Sequence, residues 1–192
     1  WLGSQHHNVI MAAMSSQHGL STLDRAYAAC RSATTRPADD ASFELHPRTH
    51  EPLRQGSSAK SDGVYALLKD YVRRGIPIDG VGMQLHVTHF FDNFEGVAQN
   101  MRRLAALGLE IHITELDVKC HDKICDLQQQ ARVYSGLLRV CLAQPACRNF
   151  ETWGFTDKYT WISSNNRPLP FDEMFHPKPA FNAMVAELLR PA

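Results

Sequence analysis

The chain carries no surplus of either charge, since 20 Lys and Arg balance 20 Asp and Glu for a formal net charge of zero. Without an electrostatic footprint, neither nucleic acid nor an acidic membrane surface is expected as a partner. No apolar run approaches the ~18 residues a membrane-spanning helix needs. The opening Trp1-Leu2-Gly3-Ser4 lacks the basic start and apolar core of a signal peptide, which fits a mature or truncated product as well as a cytosolic one. Low-complexity tracts and a second domain are also missing. The 192 residues therefore read as one domain or part of a larger one, with 44% hydrophobic content sufficient for a real core.

Cysteine is scarce, yet its spacing is informative. Cys141 and Cys147 flank Leu-Ala-Gln-Pro-Ala, and Cys120 and Cys125 flank His-Asp-Lys-Ile. Each loop is short enough to close with one bridge, and two such loops favour an oxidising compartment. The rival for Cys120, His121 and Cys125 is a zinc site, although no second ligand pair follows at finger spacing. Cys30 is left over and reads as a small buried apolar residue.

Residues 1–19 show little periodicity apart from a possible short helix near Val9 to Met14. Ser21 with Asp24 resembles a capped start, followed by a helical stripe of Leu23, Ala26, Tyr27 and Cys30. From Thr34 to Ser58 the chain reads as loop, interrupted by a candidate strand at Ala41 to Leu45. The rhythm then becomes regular. Val64, Leu67, Leu68, Tyr71 and Val72 predict a helix stopped by Gly75 and Pro77, and Ile78 to Val87 predicts a strand. Phe94, Val97, Met101 and Leu104 predict a helix ended by Gly108, and Leu109 to Val118 a buried strand. A helix follows over Leu127 to Cys141, then a strand from Phe150 to Phe155, a polar loop and a closing helix from Phe181 to Leu189. Strand and helix alternate at about 30 residues per unit, which predicts an α/β fold with a parallel sheet.

In such a sheet, chemistry collects at the carboxyl ends of the strands. Glu115 and Asp117 sit at one such end, two residues apart and so on one face. Glu115 there is a candidate nucleophile or general base, against the plainer reading of a helix cap or a partner for a lysine. Gln84 and His86 end the preceding strand, and Trp153 and Trp161 lie at and beyond the following one. An amide, an imidazole, a carboxylate and two indoles suit a sugar, whose hydroxyls need donors and acceptors while its C–H faces stack on rings.

Three segments carry a resemblance. Ile78-Asp79-Gly80-Val81-Gly82-Met83-Gln84-Leu85-His86, Ile113-Thr114-Glu115-Leu116-Asp117-Val118 and Trp153-Gly154-Phe155-Thr156-Asp157-Lys158-Tyr159-Thr160-Trp161 resemble the last three barrel strands of glycoside hydrolase family 10. Pro168-Leu169-Pro170-Phe171-Asp172 and His176-Pro177-Lys178-Pro179-Ala180-Phe181 match as well, as does the Cys141–Cys147 loop, commonly bridged in that family. The resemblance is specific over residues 63–189 and poor over 1–58. It implies a (β/α)8 TIM-type barrel, of which this single domain over residues 1–192 holds roughly the last four βα units.

The implied activity is that of a retaining, secreted endo-1,4-β-xylanase acting on xylan or xylo-oligosaccharides without metal or cofactor. Glu115 then corresponds to the nucleophile, and His86 to the imidazole that orients it. Gln84, Trp153 and Trp161 correspond to residues lining the cleft, and Asp117 to a supporting residue. A retaining glycosidase needs a second carboxyl group ~5–5.5 Å from the first. The family carries it in a Trp-x-x-x-Asn-Glu segment at the fourth strand, and no such segment occurs in this sequence. The chain thus reads as beginning just past that strand, as a fragment or truncated product. Ser42-Phe43-Glu44-Leu45-His46 stands at the fifth strand, with Glu44 the first residue to test as a replacement acid.

Two expectations follow. The isolated chain is inactive, or is a non-catalytic carbohydrate-binding or vestigial barrel piece. It also exposes apolar area around Leu85, Ile111, Ile113 and Phe155, favouring self-association or a partner chain that completes the barrel.

Overall fold

A computed structural model describes residues 59–120 and 125–191. The sequence expectations placed on residues 1–58, including the helix near Val9, the Cys30 stripe and the Glu44 strand, lie outside the described residues.

The first helix, α1 (Ala59–Arg73), buries Leu68 and Tyr71. It stops where Gly75 takes φ +67°, a left-handed turn that costs glycine little. Two short collinear strands follow, β1 (Gly80–Met83) and β2 (His86–Thr88). Helix α2 (Phe94–Ala105) is capped by Asn93, whose side chain accepts from Gly96 N. The long strand β3 (Glu110–Lys119) comes next. Helix α3 (Leu127–Leu142) is capped by Asp126, which accepts from the N–H groups of Gln128 and Gln129. Strand β4 (Cys147–Thr152) and helix α4 (Pro179–Leu188) complete the order.

β3 is the centre of the sheet. β1 pairs parallel with its first half, from Gly80↔Glu110 to Met83↔Ile113. β2 pairs parallel with its second half, from His86↔Asp117 to Thr88↔Lys119. Between the two ladders β1 and β2 are separated by Gln84 and Leu85, whereas β3 spans Thr114, Glu115 and Leu116. The single strand expected over Ile78 to Val87 is thus broken, and the break is at Leu85, with φ +61°. A branched residue is strained in the left-handed region by about 1–2 kcal/mol. Leu85 is held there by burial of its side chain in the core. On the other flank β4 pairs parallel with β3, from Ile111↔Cys147 to Leu116↔Thr152. β4 runs over Cys147–Thr152 rather than Phe150 to Phe155, and because it ends at Thr152, Trp153 follows the strand instead of lying within it.

The core lies between the sheet and the helices. Val81, Met83, Val87, Ile111, Ile113, Leu116 and Val118 pack with Val97, Met101, Leu104, Val133, Tyr134 and Leu137. This corrects the expectation that Leu85, Ile111 and Ile113 are exposed: the helices already cover them, leaving 4%, 0% and 0% of their surface accessible. Phe155, the fourth residue of that expectation, is exposed, and further apolar surface lies at Tyr159, Met174 and Phe175 beside it and at Leu188 and Leu189 at the end of α4. Outside the core, Arg139 of α3 grips both carboxylate oxygens of Glu187 on α4, at 2.9 and 2.6 Å.

Both cysteine pairs are bonded, Cys120 to Cys125 and Cys141 to Cys147. The first bond uses both thiols of the zinc alternative. No helix among the described residues is long and apolar enough to cross a membrane.

Candidate active site

Glu115 projects from the middle of β3, at the level where β1 gives way to β2. The break brings both flanking side chains onto its carboxylate. Gln84 Nε2 donates to Oε1 at 3.2 Å, and His86 Nε2 lies 3.1 Å from Oε2. The other imidazole nitrogen, Nδ1, lies 2.9 Å from Asp117 Oδ2. Trp161 Nε1 donates to that same oxygen at 2.6 Å.

An ionised carboxylate only accepts hydrogen bonds. With Glu115 and Asp117 ionised, both imidazole contacts are hydrogen bonds only when both ring nitrogens carry protons. Burial alone would push the His86 imidazole down, but the hydrogen bond and charge of Asp117, followed by those of Glu115, outweigh it and raise the pKa above its ordinary value. The imidazole is thus held between two carboxylates, Glu115 and Asp117, in a chain of contacts that ends on the Trp161 indole.

Exposure falls steadily along that chain. Glu115 keeps 19% of its side chain accessible, His86 15% and Asp117 3%. Glu115 is the member that a ligand can reach. The indoles form a wall beside it: the Trp161 ring centroid is 5.1 Å from that of His86 and the Trp153 centroid 6.5 Å, both with partly exposed faces. The plainer readings of Glu115 do not hold, since Asp126 caps the following helix and the partners of Glu115 are an amide and an imidazole.

The loop carrying Trp161 is fixed from below by a cluster that the sequence reading missed. Lys178 Nζ donates to Asp157 Oδ2 at 2.9 Å and to the Arg167 carbonyl at 2.7 Å. Asp157 Oδ1 accepts from Leu169 N at 2.8 Å. Burial pushes the Asp157 carboxyl up and the Lys178 ammonium down, and their mutual bond opposes both shifts. The same loop docks on β3 through its backbone, with Val118 N donating to Pro168 O and Cys120 N to Asn166 O. Tyr134 OH also donates to Pro168 O, at 2.7 Å. The sequence signal for this cluster was Lys178 between Pro177 and Pro179, an unusual place for a solvent-facing lysine.

A parallel sheet faced by helices, with a polar cluster and two indoles gathered at its strand ends, is the architecture of a segment of a (β/α) barrel with a candidate ligand site. The model of the family described as "Glycosyl hydrolase family 10" matches residues 9–187, and the chain belongs to that family. Among its relatives, endo-1,4-beta-xylanase B of Thermotoga neapolitana is 39% identical over 144 residues, covering 69% of this chain and 40% of the relative. The endo-1,4-beta-xylanase of Agaricus bisporus is 32% identical, covering 68% of this chain and 41% of the relative. The solved xylanase 10B of Thermotoga petrophila, in complex with xylobiose, is 36% identical with a TM-score of 0.66, over 69% of this chain and 43% of that one. The chain spans about two fifths of the length of these relatives. The family's structures are (β/α)8 barrels, of which the described strands form part.

Proposed function

We propose that residues 1–192 are a partial catalytic domain of a retaining endo-1,4-β-xylanase, carrying its nucleophile. One observation supports this above all: Glu115 is held through both oxygens by Gln84 and His86 while remaining open to solvent. A carboxylate so fixed cannot rotate away from a bound sugar.

In this reading Glu115 attacks the anomeric carbon. A new C–O bond forms to the carboxylate as the glycosidic C–O bond breaks, its electron pair leaving with the departing sugar oxygen. Water then releases the sugar from Glu115. His86 is a positioning residue that holds Glu115 ionised and oriented, and Asp117 in turn fixes His86. Gln84, Trp153 and Trp161 bind the sugar next to the scissile bond. The ligand is xylan or a xylo-oligosaccharide, and no metal or cofactor takes part. The two bridged loops suit a secreted protein.

A 2-fluoro-xylobioside with a good leaving group tests the nucleophile, because it departs without protonation. Mass spectrometry of digested protein is expected to find the sugar on Glu115 and to find none in Glu115→Ala. Labelling that survives that substitution removes Glu115 from the role.

A second reading has one observation in its favour. Asp117, the carboxylate that shares His86 with Glu115, is buried and occupied by His86 and Trp161, so it is not available as the acid. General acid help contributes typically 10²–10⁴-fold. On this reading the chain binds xylo-oligosaccharides and turns polymer over very slowly.

A further inference from the structure

Retaining hydrolysis at Glu115 calls for a second carboxyl group ~5–5.5 Å from the first. Asp117 is buried and already holds His86 and Trp161. Toward β1 and β2 the neighbours of Glu115 are Gln84 and His86, an amide and an imidazole. Glu110 opens β3, ~17 Å back along the strand at ~3.3 Å per residue. The β4 flank differs, because it carries a carboxylate outside this cluster, Glu151.

The ladder between β3 and β4 fixes where Glu151 stands. Ile113 pairs with Phe150, and Leu116 with Thr152. Between those pairs β3 has two residues, Thr114 and Glu115, whereas β4 has one, Glu151. The extra residue is a β-bulge, a device that re-aims side chains beside sites.

The same pairs fix the faces. Ile113 and Leu116 lie in the core and Phe150 packs against it, so Glu151, next along β4, stands on the opposite face. Asn149 shares that face and donates from Nδ2 to Glu151 Oε2 at 3.4 Å. Trp153 shares it too: its N donates to Leu116 O, continuing the ladder, and its ring approaches His86. Glu115, bound to Gln84 and His86, is on this side of the sheet as well. Two glutamates of equal length therefore stand side by side on adjacent strands, whose backbones lie ~4.8 Å apart. Glu151 is exposed, and the Asn149 amide on Oε2 leaves Oε1 to carry a proton.

We propose that Glu151 is the acid and base that works opposite Glu115, with the glycosidic bond of a xylo-oligosaccharide held between the two carboxyl groups. The proposal rests on the function assigned above. As Glu115 forms its C–O bond to the anomeric carbon, Glu151 gives its proton to the glycosidic oxygen, which leaves with the electron pair of the broken bond. The Glu151 carboxylate then takes a proton from the water that attacks the anomeric carbon, and Glu115 departs as a carboxylate.

The test uses the full chain and two variants. In Glu151→Gln, xylohexaose cleavage followed by chromatography is expected to fall about 10²–10⁴-fold. Labelling of Glu115 by the 2-fluoro-xylobioside is expected to proceed, since its leaving group departs without a proton. In Glu151→Ala, azide is expected to enter the space left by the carboxyl group, attack the sugar on Glu115 and release a xylobiosyl azide from an activated aryl xylobioside. Unchanged xylohexaose cleavage in Glu151→Gln overturns the proposal. Parallel loss of cleavage and labelling overturns it as well, by showing a general structural effect. A wild-type chain that labels at Glu115 yet leaves xylohexaose intact removes Glu151 from the role and leaves the nucleophile standing. A wild-type chain that does not label at Glu115 overturns the functional reading, and the role of Glu151 with it.

Discussion

Two carboxylate–cation clusters stand a few residues apart above the same strand ends, and they are built for opposite ends. Asp157 and Lys178 are sealed, with 2% and 4% of their side chains accessible. Their carboxylate oxygens and ammonium protons are taken up by each other and by the backbone of Arg167 and Leu169. Glu115, His86 and Asp117 form a graded chain that ends in solvent. A residue's type does not decide whether a charge is structural or available for chemistry. The number of its acceptors left open to water does.

The contrast is most directly broken at its sealed end. Replacing Lys178 with Met leaves the Asp157 carboxylate buried and unpaired. Loss of one partner of a buried pair costs about 3–5 kcal/mol, and thermal unfolding is expected to show a fall of that order. If Lys178→Met unfolds like the wild type, the cluster is not structural and the contrast fails.

The open cluster responds to pH. His86 has its pKa raised above the model-peptide value of 6.5, so it binds its proton more tightly folded than unfolded. Its contribution to stability is fully present below about pH 6.5 and is lost as pH rises through the raised value. Asp117→Asn removes its strongest anionic partner. The stability gap between wild type and variant is therefore expected to be widest just below pH 6.5 and to narrow at higher pH. Titration of the His86 ring by NMR should give a lower pKa in the variant and should rule the chain of contacts out if it does not. Labelling of Glu115 should slow about tenfold as the imidazole loses its fixed orientation.

The smallest effect sharpens the comparison at the seam between the two clusters. Tyr134→Phe removes the donor to Pro168 O and leaves the loop's other ties to β3 in place. The expected cost is about 1 kcal/mol, read by denaturant unfolding, with labelling of Glu115 unchanged. A loss of labelling larger than the loss of stability would show that the loop's position, and not only its attachment, is set by this bond.

Much of this arrangement was legible in the sequence. Alternation placed Glu115 with Asp117 and Gln84 with His86, and strand order put the tryptophans beside them, because the period of a strand survives whatever packs on it. The helix stops at Gly75 and Gly108 were equally plain. The break at Leu85 was not. Leucine carries no turn signal, and its left-handed backbone is imposed by the burial of its side chain. The start of β4 was missed because Cys147 to Asn149 look polar beside Phe150. Exposure was expected correctly at Phe155 but wrongly at Leu85, Ile111 and Ile113, because alternation separates two faces without telling which one the helices cover. The loop's docking on β3 runs through backbone groups, which leave no trace in side-chain pattern.

The interruption between β1 and β2 makes Glu115 a coincidence detector for correct folding. Gln84 stands at the end of one ladder and His86 at the start of the next. A slip of one residue in either ladder turns that ladder's side chain to the opposite face, and one jaw of the clamp lets go. The same slip turns that strand's buried apolar residues, Val81 and Met83 on β1 or Val87 on β2, out of the core. Core burial and the clamp on Glu115 therefore read out one and the same register, so the site closes only when the core does.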